Sequence, residues 1–126
     1  MKTTKTVRKA GFTLVEIMIV VAIIGLLAAI AIPNFVRARA TSQANACINN
    51  LRQIDAAINE WALEQGKKTG DGPASLTTDL TPYIKLNSSG AIPGCPAQGT
   101  YSVFSVGATP QVSCNLSTLD PAHKLP

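Results

Sequence analysis

The chain has 126 residues, a length that is enough for one small domain and a short additional segment. Its formal net charge at pH 7 is +4. Four bases at the start of the chain, Lys2, Lys5, Arg8 and Lys9, account for this charge, so the rest of the chain is neutral overall. A nucleic-acid-binding domain is therefore not expected, because the excess of positive charge belongs to the N-terminal tail.

The N-terminal segment has the pattern of a membrane or targeting signal. Residues 1–11 are short, basic and free of acids, and they precede an apolar run, residues 12–32, whose one charged residue is Glu16. A helix of this length, at about 1.5 Å per residue, crosses the ~30 Å hydrocarbon core of a bilayer. The bases before the run outnumber Arg37 and Arg39 after it, which predicts a cytoplasmic N-terminus and an extracytoplasmic C-terminal region.

Two interpretations of the apolar run compete. The sequence Ala29-Ile30-Ala31 fits a signal-peptidase site, and cleavage after Ala31 would release an exported soluble domain. Against this, the run is longer than a typical h-region of about 7–15 residues, and it contains Glu16. The other interpretation is a membrane-inserted helix, either as a permanent anchor of a protein that never polymerises or as an assembly element.

The residues around Gly11 favour assembly. The stretch KAGFTLVE, from Lys9 to Glu16, resembles the processing site of type IV prepilins and of type II secretion pseudopilins, with most similarity to major pseudopilins. The resemblance implies that a prepilin peptidase cleaves between Gly11 and Phe12 on the cytoplasmic side and methylates the new Phe12 amine. It also implies that Glu16 meets the Phe12 amine of a neighbouring subunit and fixes the axial register of a filament.

The function implied by this resemblance is that of a structural subunit, not an enzyme. The chain would enter the bacterial inner membrane as a single-pass protein and then join a periplasmic or cell-surface filament that drives protein secretion. Its partners would be prepilin peptidase, other copies of itself, minor pseudopilins, the inner-membrane assembly platform and lipid, without nucleic acid. A type IV pilin for adhesion, motility or DNA uptake is the alternative. The sequence offers no nucleophile elbow and no glycine-rich phosphate loop.

Small residues and a proline mark the apolar run. Ala22, Gly25 and Ala29 lie three and four residues apart, which predicts a face on which membrane helices can approach closely. Pro33 cannot donate a hydrogen bond to the carbonyl of Ala29, so it marks either a kink in a continuing helix or a plain helix end at the membrane surface. The resemblance places a proline here, where the helix loosens in the filament.

Residues 33–65 change to the pattern of an amphipathic helix. Apolar residues recur every three or four positions, at Ile48, Leu51, Ile54, Ile58 and Trp61. Trp61 is expected to anchor a core, and Gly66 is expected to stop the helix. The expected result is one long N-terminal helix, bent near Pro33, with a membrane half and an amphipathic half.

Residues 66–126 form a loop region and a C-terminal β-hairpin head. Residues 100–106 and 111–114 are predicted to be antiparallel strands, joined by a turn at residues 107–110. The fold class is therefore α+β, with the helix packed on a small antiparallel sheet. Cofactors are not expected. The alternative implied by the resemblance is calcium near Asp71 and Asp79, since some secretion pseudopilins hold it in a C-terminal loop.

Three cysteines lie beyond the apolar run, at Cys47, Cys95 and Cys114, and the sequence shows no CxxC pair or Cys/His cluster, so a zinc site is not expected. In an exported domain they predict one disulfide and one free thiol. Cys95 and Cys114 flank the hairpin and form the favoured pair, while a bond from Cys47 to either remains open. The single histidine, His123, is expected to be exposed near the C-terminus.

Overall fold

A computed structural model describes residues 10–72 and 75–126, so residues 1–9 of the predicted leader lie outside the described part. An α-helix, α1, runs over Leu14–Glu64 and is followed by a 3₁₀ helix at Thr81–Tyr83. Two short strands follow, β1 at Tyr101–Val103 and β2 at Val112–Cys114. The α+β class predicted from the sequence is confirmed.

Helix α1 joins the apolar and amphipathic parts of the sequence in one element. It begins at Leu14, two residues later than the start of the apolar run, and it contains Pro33 in its interior. The alternative in which Pro33 ends the helix at the membrane surface is therefore wrong. A proline lacks the amide hydrogen that the carbonyl four residues earlier would accept, so this turn has one helical hydrogen bond fewer.

The chain divides into two compact units after Arg37, and the second, Ala38–Pro126, contains the hydrophobic core. The C-terminal part of α1 supplies one side of that core. Its buried residues recur every three or four positions: Ala44, Cys47, Leu51, Ile54, Ala57, Ile58 and Ala62. Of the predicted apolar face, Leu51, Ile54 and Ile58 are buried, whereas Ile48 and Trp61 are only partly buried. Apolar spacing of this kind places side chains on one side of a helix.

The predicted anchor and stop of the helix are both found. Trp61 packs against the core with partial burial, and the Lys67 ammonium lies 5.7 Å from the centre of its ring. After Glu64 the chain turns through Gly66, whose φ is +63°. The amide of Lys67 donates to the carbonyl of Ala62 at 2.8 Å, the outer hydrogen bond of a Schellman motif. Glycine suits this position because it adopts a positive φ without a Cβ clash.

The two strands form an antiparallel hairpin that is shorter than predicted. Tyr101 pairs with Cys114 and Val103 pairs with Val112. Val112 and Cys114 are buried in the core, whereas Tyr101 and Val103 are partly buried against it. Backbone hydrogen bonds continue on both sides of these three pairs, from the Phe104 amide to the Gln111 carbonyl at 2.8 Å and from the Asn115 amide to the Thr100 carbonyl at 3.1 Å.

Polar side chains on α1 fasten the hairpin and its preceding loop to the helix. The amide nitrogen of Asn50 donates to the carbonyl of Gly94 at 3.1 Å and to the Tyr101 hydroxyl at 3.2 Å. The amide nitrogen of Gln111 donates to the side-chain oxygen of Asn59 at 3.1 Å. These bonds fix the position of the strands along the helix, in addition to the apolar contacts.

We expect Leu51→Ala to destabilise the C-terminal unit by about 2–5 kcal/mol, because Leu51 is fully buried and its loss leaves a cavity. The matched control is Leu63→Ala on the same helix, where the side chain is 84% exposed and the expected change is within about 0.5 kcal/mol. Denaturant unfolding of the detergent-solubilised chain, followed by the fluorescence of its one tryptophan, measures both. Equal effects for the two variants would contradict the assigned core.

Candidate functional site

The first turn of α1 is closed by reciprocal hydrogen bonds between Thr13 and Glu16. The backbone amide of Glu16 donates to the Thr13 hydroxyl oxygen at 3.2 Å. In return, the Thr13 amide and hydroxyl donate to Glu16 Oε2 at 2.8 and 2.7 Å. This is a capping box, which satisfies backbone amides that otherwise have no partner at a helix start.

The capping role of Glu16 was not predicted from the sequence, although a Thr-x-x-Glu pattern before an apolar run indicates a capping box. Here the motif is Thr13, two intervening residues and Glu16. Both hydrogen bonds from Thr13 go to the same carboxylate oxygen, Oε2. The other oxygen, Oε1, can therefore accept from a further donor, since an ionised carboxylate has several acceptor sites.

The predicted cleavage position lies immediately before this cap. Gly11 and Phe12 are both exposed, and Phe12 retains 86% of its accessible surface. A Cβ at Gly11 would meet no atom within 4 Å. Ala10, Gly11, Phe12 and Glu16 line one small concave surface. The peptide bond between Gly11 and Phe12 is thus open to another protein, and the end that it would release lies beside the Glu16 carboxylate.

The N-terminal part of α1 presents a continuous apolar surface. It is long and apolar enough to cross a membrane, and its side chains are not buried within the chain. Ala22, Gly25 and Ala29 are exposed, as is Pro33, and a Cβ at Gly25 would meet no atom within 4 Å. The large exposed apolar side chains here include Leu14, Val15, Ile17, Met18, Ile19, Val20, Val21, Ile23, Ile24, Leu26, Leu27, Ile30, Ile32, Phe35 and Val36. An apolar surface of this extent marks a contact with lipid or protein.

The three cysteines meet in the core of the C-terminal unit as free thiols, and His123 joins them. All four side chains are buried, and their sulfur and imidazole nitrogen atoms lie within 4.8 Å of one another. Cys95 Sγ is 3.4 Å from His123 Nδ1. The expectation that His123 is exposed is wrong: 4% of its surface is accessible. The Cys95–Cys114 disulfide stays a prediction.

The surroundings shift the pKa values of the Cys47 and Cys95 thiols in opposite directions. Burial, together with the neighbouring Cys95 and Cys114 thiols, raises the pKa of Cys47 to about 12. Burial also raises the pKa of Cys95, but backbone hydrogen bonds from Ala97 and Gly99 and contacts with the other thiols outweigh it, and the net pKa of this thiol is lowered. Hydrogen bonds donated to sulfur favour the thiolate, so Cys95 is the readier of the two to lose its proton.

Sequence reasoning missed this cluster because its members are far apart in the chain. The sequence did offer one signal, because the three cysteines and the single histidine of the chain have similar side-chain chemistry. Their meeting depends on the packing of α1, the loop before β1, β2 and the C-terminal segment against one another, which no local pattern specifies.

The two carboxylates proposed for calcium each serve a local turn. Asp71 Oδ2 accepts from the Lys68 amide at 2.6 Å, and Asp79 Oδ2 accepts from the Ser75 amide at 2.9 Å. In the described part of the chain, neither aspartate belongs to a group of three or more close acidic, cysteine or histidine side chains. Calcium binding here stays a prediction.

Comparison with known proteins agrees with the N-terminal site. The prokaryotic N-terminal methylation motif matches residues 7–32. The chain is 48% identical over 60 residues to the type IV major pilin protein PilA of Myxococcus xanthus, which covers 48% of this chain and 27% of the relative. It is 39% identical over 80 residues to the type IV major pilin protein PilE1 of Neisseria gonorrhoeae, which covers 60% of this chain and 48% of the relative.

A third relative, the type IV major fimbrial protein FimA of Dichelobacter nodosus, is 49% identical over 61 residues, which covers 48% of this chain and 38% of the relative. The chain thus spans less than half the length of each of these three relatives. No solved structure matches it significantly. The N-terminal segment of the chain thus carries the prokaryotic N-terminal methylation motif and is similar to the corresponding part of type IV pilins.

Proposed function

We propose that this protein is a structural, non-enzymatic subunit of a filament that assembles from the bacterial inner membrane through residues 12–32. One observation carries the proposal: an exposed Gly11–Phe12 peptide bond lies directly before an exposed apolar helix that is capped at its start and has Glu16 in its first turn. Such a helix needs an apolar environment, and lipid before assembly or neighbouring copies after it can provide one.

Charge supports the orientation of the inserted form. The acid-free basic leader, residues 1–11, stays on the cytoplasmic side, and the C-terminal unit lies outside the membrane. Prepilin peptidase then removes the leader and methylates the Phe12 amine, which keeps its positive charge. The partners in assembly are other copies, minor pseudopilins and an inner-membrane platform.

The geometry of the helix start suggests how Glu16 can serve two purposes. Thr13 engages Oε2 within the chain, which leaves Oε1 for the amine of Phe12 from an adjacent subunit. A carboxylate at the N-terminal end of a helix is also stabilised by the helix dipole. Glu16 is therefore compatible with an apolar segment before assembly. After assembly, the pair of Glu16 and the Phe12 amine of the adjacent subunit sets the axial register, as a polar residue does at a coiled-coil seam.

The mature N-terminus tests the processing step. We expect mass spectrometry to find a methylated Phe12 at the start of the mature chain, and we expect Gly11→Val to retain the leader, because the branched side chain crowds the bond to be cleaved. The variant is not expected to disturb folding, since a Cβ at Gly11 meets no atom within 4 Å. Ala10→Ser is the matched control and should be processed. A mature N-terminus at Ile32 would instead establish signal-peptidase cleavage after Ala31.

Two substitutions at Glu16 separate the cap from the charge. Glu16→Leu removes both, so we expect normal insertion and processing but no normal filament. Glu16→Gln preserves a capping-box acceptor and removes only the negative charge. If the intersubunit amine is the partner, Glu16→Gln also fails to assemble, as electron microscopy of sheared filaments would show.

The matched control for these variants is Val15→Leu, an exposed apolar exchange in the same turn, which should assemble. Normal filaments from Glu16→Gln would assign Glu16 to helix capping alone. Loss of the cap by itself is expected to cost about 0.5–2 kcal/mol of helix stability.

Within this class, a type II secretion pseudopilus that drives protein secretion is the finer proposal, supported by the resemblance of the segment from Lys9 to Glu16 to the processing site of pseudopilins. A type IV pilus is the second candidate, favoured by the relatives, which are named major pilins and a major fimbrial protein. An in-frame deletion distinguishes the two. Loss of exoprotein from the culture medium with intact surface pili supports the pseudopilus, whereas loss of surface pili with intact secretion supports the pilin.

A further inference from the structure

We infer that Cys47, Cys95, Cys114 and His123 form a structural Zn²⁺ site in the core of the C-terminal unit. Each residue comes from a different segment: α1, the loop before β1, the end of β2 and the C-terminal segment. Three thiolates and one imidazole without a solvent position are a closed donor set, the kind that holds structural zinc. This inference stands independently of the proposed filament function.

The distances suit one tetrahedral ion. With Zn–S bonds of about 2.3 Å, neighbouring ligand atoms in a tetrahedron lie about 3.8 Å apart. The four ligand atoms here lie within 4.8 Å of one another, and Cys95 Sγ is 3.4 Å from His123 Nδ1. Side-chain adjustments of less than about 1 Å therefore bring all four to a common centre.

The loop after Cys95 is built around its sulfur. Residues 95–99 form a tight turn, in which the Gln98 amide donates to the Cys95 carbonyl at 2.9 Å. This turn holds the Cys95 sulfur in the core, 3.4 Å from His123 Nδ1.

Two neighbours of the other cysteines complete the surroundings. A Cβ at Gly99 would lie 2.6 Å from Cys114 Sγ, so only a glycine lets that sulfur reach the cluster without a shift. The Tyr101 hydroxyl, which accepts a hydrogen bond from the Asn50 side chain, lies near the Cys47 side chain. Outer partners of this type orient metal ligands and tune them.

A single zinc ion engages more of the four side chains than a disulfide does. A disulfide joins two sulfurs and leaves a thiol and an imidazole buried, whereas zinc engages all four groups. It would also fasten residues 115–126, which contain no helix or strand, to α1 and to β2. A unit this small gains much from such a link, because its hydrophobic core alone is marginal.

The first experiment measures the metal directly. The full chain is isolated from membranes in detergent without reductant, and zinc is quantified by plasma mass spectrometry. We expect about one zinc ion per chain, cysteines that resist alkylation until a chelator is added, and a lower unfolding temperature after chelation. A chain lighter by two hydrogen atoms, with linked peptides containing Cys95 and Cys114, would overturn the site and establish the predicted disulfide.

The second experiment separates ligation from packing at His123, which plays no part in a disulfide. Loss of an outer partner of a metal ligand weakens binding by about 10–100-fold. His123→Ala removes a ligand itself and should weaken Zn²⁺ binding by more than that. His123→Cys should retain zinc, since four thiolates also form a structural zinc site. Lys124→Ala, an exposed neighbour, is the matched control and should bind zinc as the unmodified chain does.

Substitution by Co²⁺ gives a spectroscopic readout, because tetrahedral thiolate sites produce characteristic visible and charge-transfer absorption. The unmodified chain and His123→Cys should show these bands with different maxima, and His123→Ala should lose or alter them. Zinc affinity unchanged in His123→Ala, or no zinc binding by the reduced chain, overturns the assignment.

Discussion

The exposed apolar surface of α1 between Leu14 and Val36 is the constraint on which the rest of this protein depends. In water such a surface is unfavourable by about 25 cal/mol for each Å² exposed. Lipid tails and the helices of neighbouring copies are comparably apolar, so one surface can serve in both environments and pass between them at little cost. In the function proposed above, membrane insertion and filament assembly would be two uses of the same side chains, and small residues such as Gly25 would permit close helix approach in the second.

The position of Glu16 reconciles a charge with this surface. At the centre of the apolar run a carboxylate would be strongly unfavourable. In the first turn it accepts hydrogen bonds from Thr13 and benefits from the helix dipole. The cap thus explains why an acid is tolerated in the single chain. In the proposed filament, the second carboxylate oxygen would accept a hydrogen bond from a neighbouring amine without breaking the cap.

The C-terminal unit solves a different problem, that of building a stable core from few residues. Its apolar contacts come from one face of α1 and a hairpin of three residue pairs. Asn50 and Gln111 add hydrogen bonds that position the hairpin on the helix. At the centre of the core, three thiols and an imidazole occupy space that another small domain would fill with aliphatic side chains. Burial of four such groups together is favourable only when each has a partner.

The sequence by itself determined the features that depend on neighbouring residues. The motif around Gly11 and Phe12, the membrane-length run, the burial of Leu51 and the stop at Gly66 follow from local spacing and residue type. The capping box was equally local and could have been read from Thr13 and Glu16.

Only the tertiary structure decided the rest. The hairpin was predicted in the right place but too long, since where its strands diverge depends on packing against α1. The continuation of the helix through Pro33 was left open because a proline permits either a kink or an end. The meeting of Cys47, Cys95, Cys114 and His123 could not be read from their spacing, because residues far apart in a chain become neighbours only when the segments that carry them pack together.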